Sequence, residues 1–209
     1  MRVEKIKIQN FKIFQNFSMS FNDDLNIIVG DNETGKSTFL EAIYLALTAQ
    51  LSGRNIQYEL SPYLFSVGAV RQYVENLQTN PATPLPEIYI EVFLKEDSEG
   101  ELAQYKGTNN SERKDCAGVY LQIGFDNDFA EEYKEYIRNP LEVRTVPVEY
   151  YSCTWLSFAN NTFKFSQLPS KIMLLDRSDQ KMQNGSDKYI AKIIEDTLEK
   201  SESALLSLL

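Results

Sequence analysis

A mixed α/β fold built around a phosphate-binding loop is what this sequence predicts. Gly30-Asp31-Asn32-Glu33-Thr34-Gly35-Lys36-Ser37 fits the pattern G-x-x-x-x-G-K-[ST]. Leu25-Asn26-Ile27-Ile28-Val29 before it reads as a short buried strand, and residues 38–47 after it read as a helix. Strand, glycine-framed loop and helix, in that order, form the context that separates a working P-loop from a chance match. The alternative, a glycine-containing turn before an ordinary helix, has to explain both flanks as accidents.

The chemistry accounts for the spacing. Gly30 and Gly35 can take backbone angles that a side chain would block, so that successive N–H groups turn inward around an anion. A helix beginning near Gly35 points its positive dipole end at the same place. Lys36 can then reach the terminal phosphates of a nucleotide, and the Ser37 hydroxyl can bind the Mg²⁺ that bridges them. Thr38 is placed to donate to the innermost phosphate.

Composition narrows what can surround this loop. A chain of 209 residues predicts one domain, or one domain with a small subdomain. A hydrophobic content of 43% supplies a core. The formal net charge of -9 argues against strong nonspecific nucleic-acid binding by this chain alone, although a local basic patch stays open. With no histidine and only Cys116 and Cys153, the usual zinc spacings and every His-dependent catalytic arrangement are excluded. Two reduced structural cysteines, a charged alternating N-terminus and no long apolar run predict a cytoplasmic protein without a signal peptide or membrane span.

In chain order, Val3, Ile6 and Ile8 alternate with charged residues and predict an edge-like strand. A short break at residues 10–14 follows. Phe17, Met19 and Phe21 alternate with serines in a second strand, and Asn22-Asp23-Asp24 is a turn. Two strands ahead of the P-loop strand distinguish this chain from small GTPases and nucleotide kinases. The opening IKIQNFKIFQNFSMSFNDDLNIIVGDNETGKSTFLEAI resembles the N-terminus of ABC-type ATPases of the RecF, SMC and OLD (overcoming lysogenization defect) group. Within that group, GDNETGKST and the acidic composition look most like an OLD-family ATP-dependent endonuclease.

The resemblance covers about the first 48 residues. It implies an ABC-type ATPase head, N-terminal lobe, that binds ATP with Mg²⁺. Gly30, Asn32, Gly35, Lys36, Ser37 and Thr38 fall at the family's nucleotide-contacting positions, with Ser37 as the Mg²⁺ ligand. Lys12 stands where many relatives place an arginine that reaches toward the phosphates. A lysine keeps the charge and loses the bidentate fork, and a solvated loop lysine is an equal reading.

Beyond the P-loop, Phe39, Leu40, Ile43 and Leu47, with Ala42 and Ala46 beside them, predict a helix packed on a sheet and ending near residues 49–50. Residues 51–63 read as irregular. Val70, Tyr73, Val74 and Leu77 line one face of a second helix over residues 67–77. Residues 80–86 hold three prolines and predict a loop and subdomain hinge. A strand over residues 87–94 buries Ile88, Ile90, Val92 and Leu94 and presents Tyr89, Glu91 and Phe93 on its other face. Residues 95–115 read as a long connection with a weak strand near 102–105. Another strand covers 118–125. By analogy with ABC-type heads, residues 86–155 form an antiparallel β-subdomain.

A short acidic helix over 128–138 is capped by Asp126 or Asp128 and stops before Pro140. Residues 142–151 read as extended, with Pro147 indicating an edge or bulge. Residues 171–177 form a strand candidate, and residues 186–209 predict a C-terminal helix capped by Ser186.

An ABC-type ATPase also needs a strand ending in Asp-Glu for Mg²⁺ and the attacking water, and a Ser-Gly-rich signature. Asp176 ends the run IMLLD, but Arg177 replaces the expected Glu and LSFANN lacks a glycine, so Asp176 is a weak catalytic candidate beside an ordinary core strand. Gln122, Gln167 and Gln180 are candidates by chain order for the glutamine that touches Mg²⁺, but each reads as a surface residue first. The pairs Asp23-Asp24 and Glu131-Glu132 read as solvated acids before metal ligands. The apolar run at the chain's end, without a stop signal, predicts a truncated ATPase head. The resemblance then implies a second lobe, a dimer partner and, in OLD proteins, a Toprim nuclease domain downstream. The functional expectation is the ATP-binding domain of an OLD-like DNA endonuclease, with phage defence or DNA repair as its setting. The rival expectation is a RecF- or SMC-type ATP-dependent DNA-binding and assembly module without nuclease activity.

Overall fold

The computed structural model describes residues 1–169 together with Ile172 and Leu174. The chain divides between Ile172 and Met173 into two units, and the first carries every element named below. The expectations at Asp176, Gln180, the strand over 171–177 and the helix over 186–209 lie outside the described residues.

The element order is β1 (Arg2–Phe11), β2 (Phe14–Ser20), α1 (Lys36–Thr48), β3 (Gln50–Leu51), β4 (Arg54–Asn55), α2 (Val67–Leu77), β5 (Ile88–Lys95), β6 (Lys106–Gly107), β7 (Cys116–Phe125), α3 (Ala130–Tyr136) and β8 (Tyr151–Ser157). The main sheet is antiparallel throughout, in the order β2-β1-β5-β7, with β6 and β8 both pairing β7. β1 is therefore an interior strand, not the edge its charged alternation suggested. Alternation reports that one face is buried and says nothing of how many neighbours a strand has. β5, β7 and β8 complete the same sheet that β1 begins, and the proline-rich loop of residues 80–86 lies within the first unit.

One face of the sheet is the core. Ile6 and Ile8 of β1, Ile88, Ile90 and Val92 of β5, and Val119, Leu121 and Ile123 of β7 are all within 1% of full burial. α1 lies on this face with Phe39, Ala42, Leu45 and Ala46 inward. Leu40, expected in that stripe, is 42% exposed because it falls on the neighbouring side of the helix.

The opposite face is covered at its centre. Glu91 and Phe93, expected to face outward, are buried at 0% and 3% exposure. The connection before β7 folds over them. The Ser111 N–H donates to Glu91 Oε1 at 2.6 Å, and Glu112 pairs with Lys5 at 2.5 Å and Lys7 at 3.0 Å. Lys5 also sits 4.6 Å from the centre of the Phe93 ring.

Three connections differ from the expectations. Residues 51–63 contain a two-residue hairpin, β3–β4, whose corner Ser52-Gly53 takes left-handed φ values of 51° and 78°. Two positive values in succession are what such a hairpin requires. The weak strand near 102–105 is a 3-10 turn at Ala103–Tyr105, followed by β6. The extended stretch at 142–151 is broken by 3-10 turns at Pro140–Glu142 and Val148–Tyr150, so the strand begins only at Tyr151. Pro147 has no N–H to give a ladder and immediately precedes the second turn. α2 and α3 form where expected, capped by Ser66 and, through a 3-10 turn, by Asp126.

Candidate phosphate-binding site

The loop of residues 30–35 leads into α1, whose first residue is Lys36. Gly35 is the N-cap at φ 92°, in the left-handed region that glycine alone enters without strain. Phe39 N–H donates to the Gly35 carbonyl at 2.8 Å, closing the first helical turn. No side chain caps this end, and the first turn carries no acidic residue. The leading N–H groups of a helix have no partner within it. They concentrate positive potential where the loop curls over them.

Within the loop, Lys36 Nζ donates to the Gly30 carbonyl at 2.7 Å and to the Asp31 carbonyl. Thr34 Oγ1 donates to the Asp31 carbonyl at 2.9 Å. A β-carbon at Gly30 would come within 2.9 Å of Thr34 Oγ1, so the glycine leaves the interior of the loop free of side chain. Ser37 is exposed, Thr38 half-buried, and Asn32 exposed at the tip. The structure thus places all six expected P-loop residues on one loop and helix start. The donor set of backbone N–H groups, a lysine and a hydroxyl suits a polyphosphate with a hard cation.

Two sets of contacts hold the helix start in place. Phe39 is surrounded by Phe14, Phe17 and Phe21, with ring centres 6.4, 5.5 and 6.0 Å away. The second strand thereby clamps the first turn of α1. Ile13 and Phe14, at the β1–β2 turn, close against Gly35: a β-carbon there would overlap Ile13 Cδ1 and approach Phe14 Cζ to 3.2 Å. Ile13 is 56% exposed and belongs to no motif, so nothing local in the sequence marks it.

Lys12 lies in the same turn with φ 49°. Its ammonium is paired with Glu41. Glu41 stands five residues beyond Lys36 in α1, about 7.5 Å along the axis at 1.5 Å per residue. Glu41 was visible in the sequence only as part of the EAI run. The other candidates are placed elsewhere. Gln122 donates to Glu87 at 2.8 Å on the sheet, and Gln167 closes a 3-10 turn by accepting from Lys164 N–H. Asp23 pairs with Lys95, and Glu131 with Lys134. Lys95 beside Asp23 holds its carboxyl below the usual range. Among the described residues no three acidic, His or Cys side chains form a metal cluster.

The strand expected at residues 25–29 is extended in its alternation but unladdered. Asn26 and Ile28 are half-buried and Ile28 packs on the core, whereas Leu25, Ile27 and Val29 are 75%, 75% and 84% exposed. No strand among the described residues pairs with it. It is anchored by an Asn22–Asn26 exchange, in which Asn22 N–H donates to Asn26 Oδ1 at 2.8 Å and Asn26 Nδ2 returns a bond to the Asn22 carbonyl at 3.0 Å. No helix of the described residues is long and apolar enough to cross a membrane.

Parts of the chain are similar to known proteins. The chain is 53% identical over 49 residues to a DNA replication and repair protein RecF of Streptococcus thermophilus, covering 23% of this chain and 13% of that one. It is 24% identical over 160 residues to the RecF of Oenococcus oeni, covering 70% and 42%. It is 40% identical over 50 residues to the RecF of Lachnospira eligens, covering 24% and 14%. The chain therefore spans less than half the length of these relatives. A solved structure described as "Structural biochemistry of ATP-driven dimerization and DNA stimulated activation of SMC ATPases" aligns at 19% identity and a TM-score of 0.35, over 61% of this chain and 65% of that one. The AAA domain family matches residues 5–206. The chain belongs to that AAA domain family and is similar over part of its length to RecF proteins.

Proposed function

We propose that this chain is the nucleotide-binding lobe of a RecF- or SMC-type ATPase, which binds ATP and Mg²⁺ at residues 30–38 and uses the nucleotide to assemble on DNA. One observation carries the reading: an uncapped, acid-free helix start at Lys36, with Gly30, Gly35 and the Lys36 ammonium arranged around the loop above it. In this reading the leading N–H groups and Lys36 hold the phosphates, and Ser37 takes the Mg²⁺. Lys36 exchanges the carbonyls of Gly30 and Asp31 for phosphate oxygens on binding. ATP hydrolysis then draws on groups from a second lobe and a dimer partner, so that turnover by this chain alone is slow.

The RecF relatives support the DNA-assembly reading over the OLD nuclease reading. Isothermal titration with Mg·ATP tests the site. Wild-type protein should bind and Lys36→Ala should not; equal affinity in the two would end the assignment. Gel filtration and duplex-DNA anisotropy of the complete protein, with and without ATP, test the assembly role. Nuclease activity of the complete protein on duplex DNA would restore the OLD reading.

A further inference from the structure

We propose that the groove along the outer side of α2 is a docking site for a partner protein that presents an acidic amphipathic helix. The apolar face of α2 is only partly covered by this unit. Ala69, Tyr73 and Leu77 face the core. Val70 and Val74 pack on it in part and, with Val67, form the open edge of the same face. Val67 is 71% exposed, and the other two are half-buried. With Phe65 as floor they line an open cavity of about 460 Å³.

Two arginines rim this cavity, Arg71 from α2 and Arg144 from the segment before β8. Among the described residues several other surface cations are matched, although the exposed Arg113 and Lys164 are not. Lys5 and Lys7 meet Glu112, Lys95 meets Asp23, Lys134 meets Glu131 and Arg138 meets Glu135. Arg71 and Arg144 have no carboxylate within 4.0 Å among the described residues, in a chain whose net charge is -9. Glu75, one turn beyond Arg71 on the same rim, does not reach it.

Charge complementarity selects the occupant. Two guanidinium groups bordering an apolar trough fit carboxylates flanking an apolar stripe, and arginine is enriched at protein interfaces for this bidentate use. A helix supplies both at i, i+3 and i+4 spacing and packs against α2 ridge into groove. Nucleic acid fits less well. It needs a basic stripe along its backbone, and here two cations border a hydrocarbon surface. The contacts are independent of the phosphate loop, so this site stands whether or not the loop binds ATP.

The test uses the whole chain and a fluorescein-labelled helical peptide with leucine at i, i+4 and i+7 and glutamate on both flanks. Anisotropy should show saturable binding. The double change Arg71→Glu with Arg144→Glu should weaken it by about tenfold or more, equivalent to 1.4 kcal/mol. Val67→Asp should weaken it similarly. The same peptide with lysine for glutamate should prefer the double variant. All three positions are exposed, and the Trp155 emission and circular dichroism of each variant would confirm the fold. The proposal is overturned by an absence of saturable binding, or by binding indifferent to both sets of changes. It is also overturned if a labelled oligothymidylate binds wild type and is lost in the double arginine variant, which would make the groove a nucleic-acid site.

Discussion

Ile13 lies where a β-carbon on Gly35 would have to stand. The glycine that opens the phosphate-binding helix is thus fixed twice, by its φ of 92° and by a side chain from the β1–β2 turn. The two constraints have different costs. The left-handed backbone costs an ordinary residue about 1–2 kcal/mol. Ile13 is 56% exposed and can swing aside cheaply.

Gly35→Ala should therefore lower stability by about 1–2 kcal/mol, or several degrees of Tm for a domain of this size. Mg·ATP affinity should fall with it, because the strained residue carries the first N–H groups of the cradle. Ile13→Ala combined with Gly35→Ala should recover little stability if φ dominates. Recovery of the full loss in calorimetry would show that the overlap, not the backbone, is decisive.

Lys12 and Glu41 separate the two readings of the β1–β2 turn. With its ammonium committed to Glu41, Lys12 is an anchor between the turn and α1. Lys12→Ala should then change Mg·ATP affinity by less than about threefold, under 1 kcal/mol, while Lys36→Ala abolishes it. Stability should fall by about 0.5–1 kcal/mol, as for a partly exposed ion pair. A larger affinity loss in Lys12→Ala than in Glu41→Gln, measured by titration, would return Lys12 to the phosphates.

How much of this was readable beforehand follows from locality. The phosphate loop, α1 and α2 are specified by residues within a few turns of one another: glycines, a capping Ser66, apolar residues at helical spacing. The two helices form where the spacing puts them. The segment at residues 25–29 has an equally clear alternation, but a strand exists only with a partner, and pairing is decided by distant chain. The same reason explains why the charged alternation of β1 suggests an edge. Glu91 was read as outward because period two assigns a face, while the loop carrying Ser111 and Glu112 that buries it comes twenty residues later. Pro147 marked a real interruption, and its consequence was a turn rather than a bulge. Glu41, Ile13 and the groove arginines carry no motif, and only the folded chain reveals their partners.

The Glu112 cluster makes stability depend on pH. Lys5, then Lys114 and Lys7, hydrogen-bond the Glu112 carboxylate and hold its pKa at about 2. The folded value lies below the ordinary one of about 4.3. The contribution is fully present above that ordinary value and is lost as pH falls through about 2. Solvent reaches the cluster, so its worth is about 1 kcal/mol. Urea midpoints should show Glu112→Gln below wild type by that amount at pH 6 and the gap narrowing toward pH 2.5. A gap that stays constant with pH would mean the glutamate acts through packing.

The two thiols should be inert in the native chain. Burial pushes the Cys153 thiol up to about 12 and raises Cys116 as well, with Glu4 and Glu112 adding to the latter. Neither is in a disulfide. At pH 8 the Cys153 thiolate is about a thousandfold scarcer than in an ordinary cysteine near 8.5. Alkylation followed by mass spectrometry should label Cys153 slowest and become fast for both on unfolding. Rapid native labelling of Cys153 would contradict its burial.

Trp155 offers a direct reading of how α1 is held on the sheet. It is the single tryptophan, on β8, and its Nε1–H donates to the Ala46 carbonyl at 2.7 Å. Ala46 lies in the last turn of α1, where carbonyls lack helical partners. The indole therefore ties the far end of the helix to the sheet, while the phenylalanines around Phe39 tie its start. Trp155→Phe keeps the ring contact to Phe163, at 4.2 Å between centres, and removes the donor. It should cost about 1 kcal/mol, the worth of a typical hydrogen bond plus part of the penalty for an unpaired carbonyl. Because the indole reports on the end of α1 remote from Lys36, its emission should follow global unfolding and barely respond to Mg·ATP. A large nucleotide-induced change would show instead that ligand binding at the loop moves the whole helix against β8.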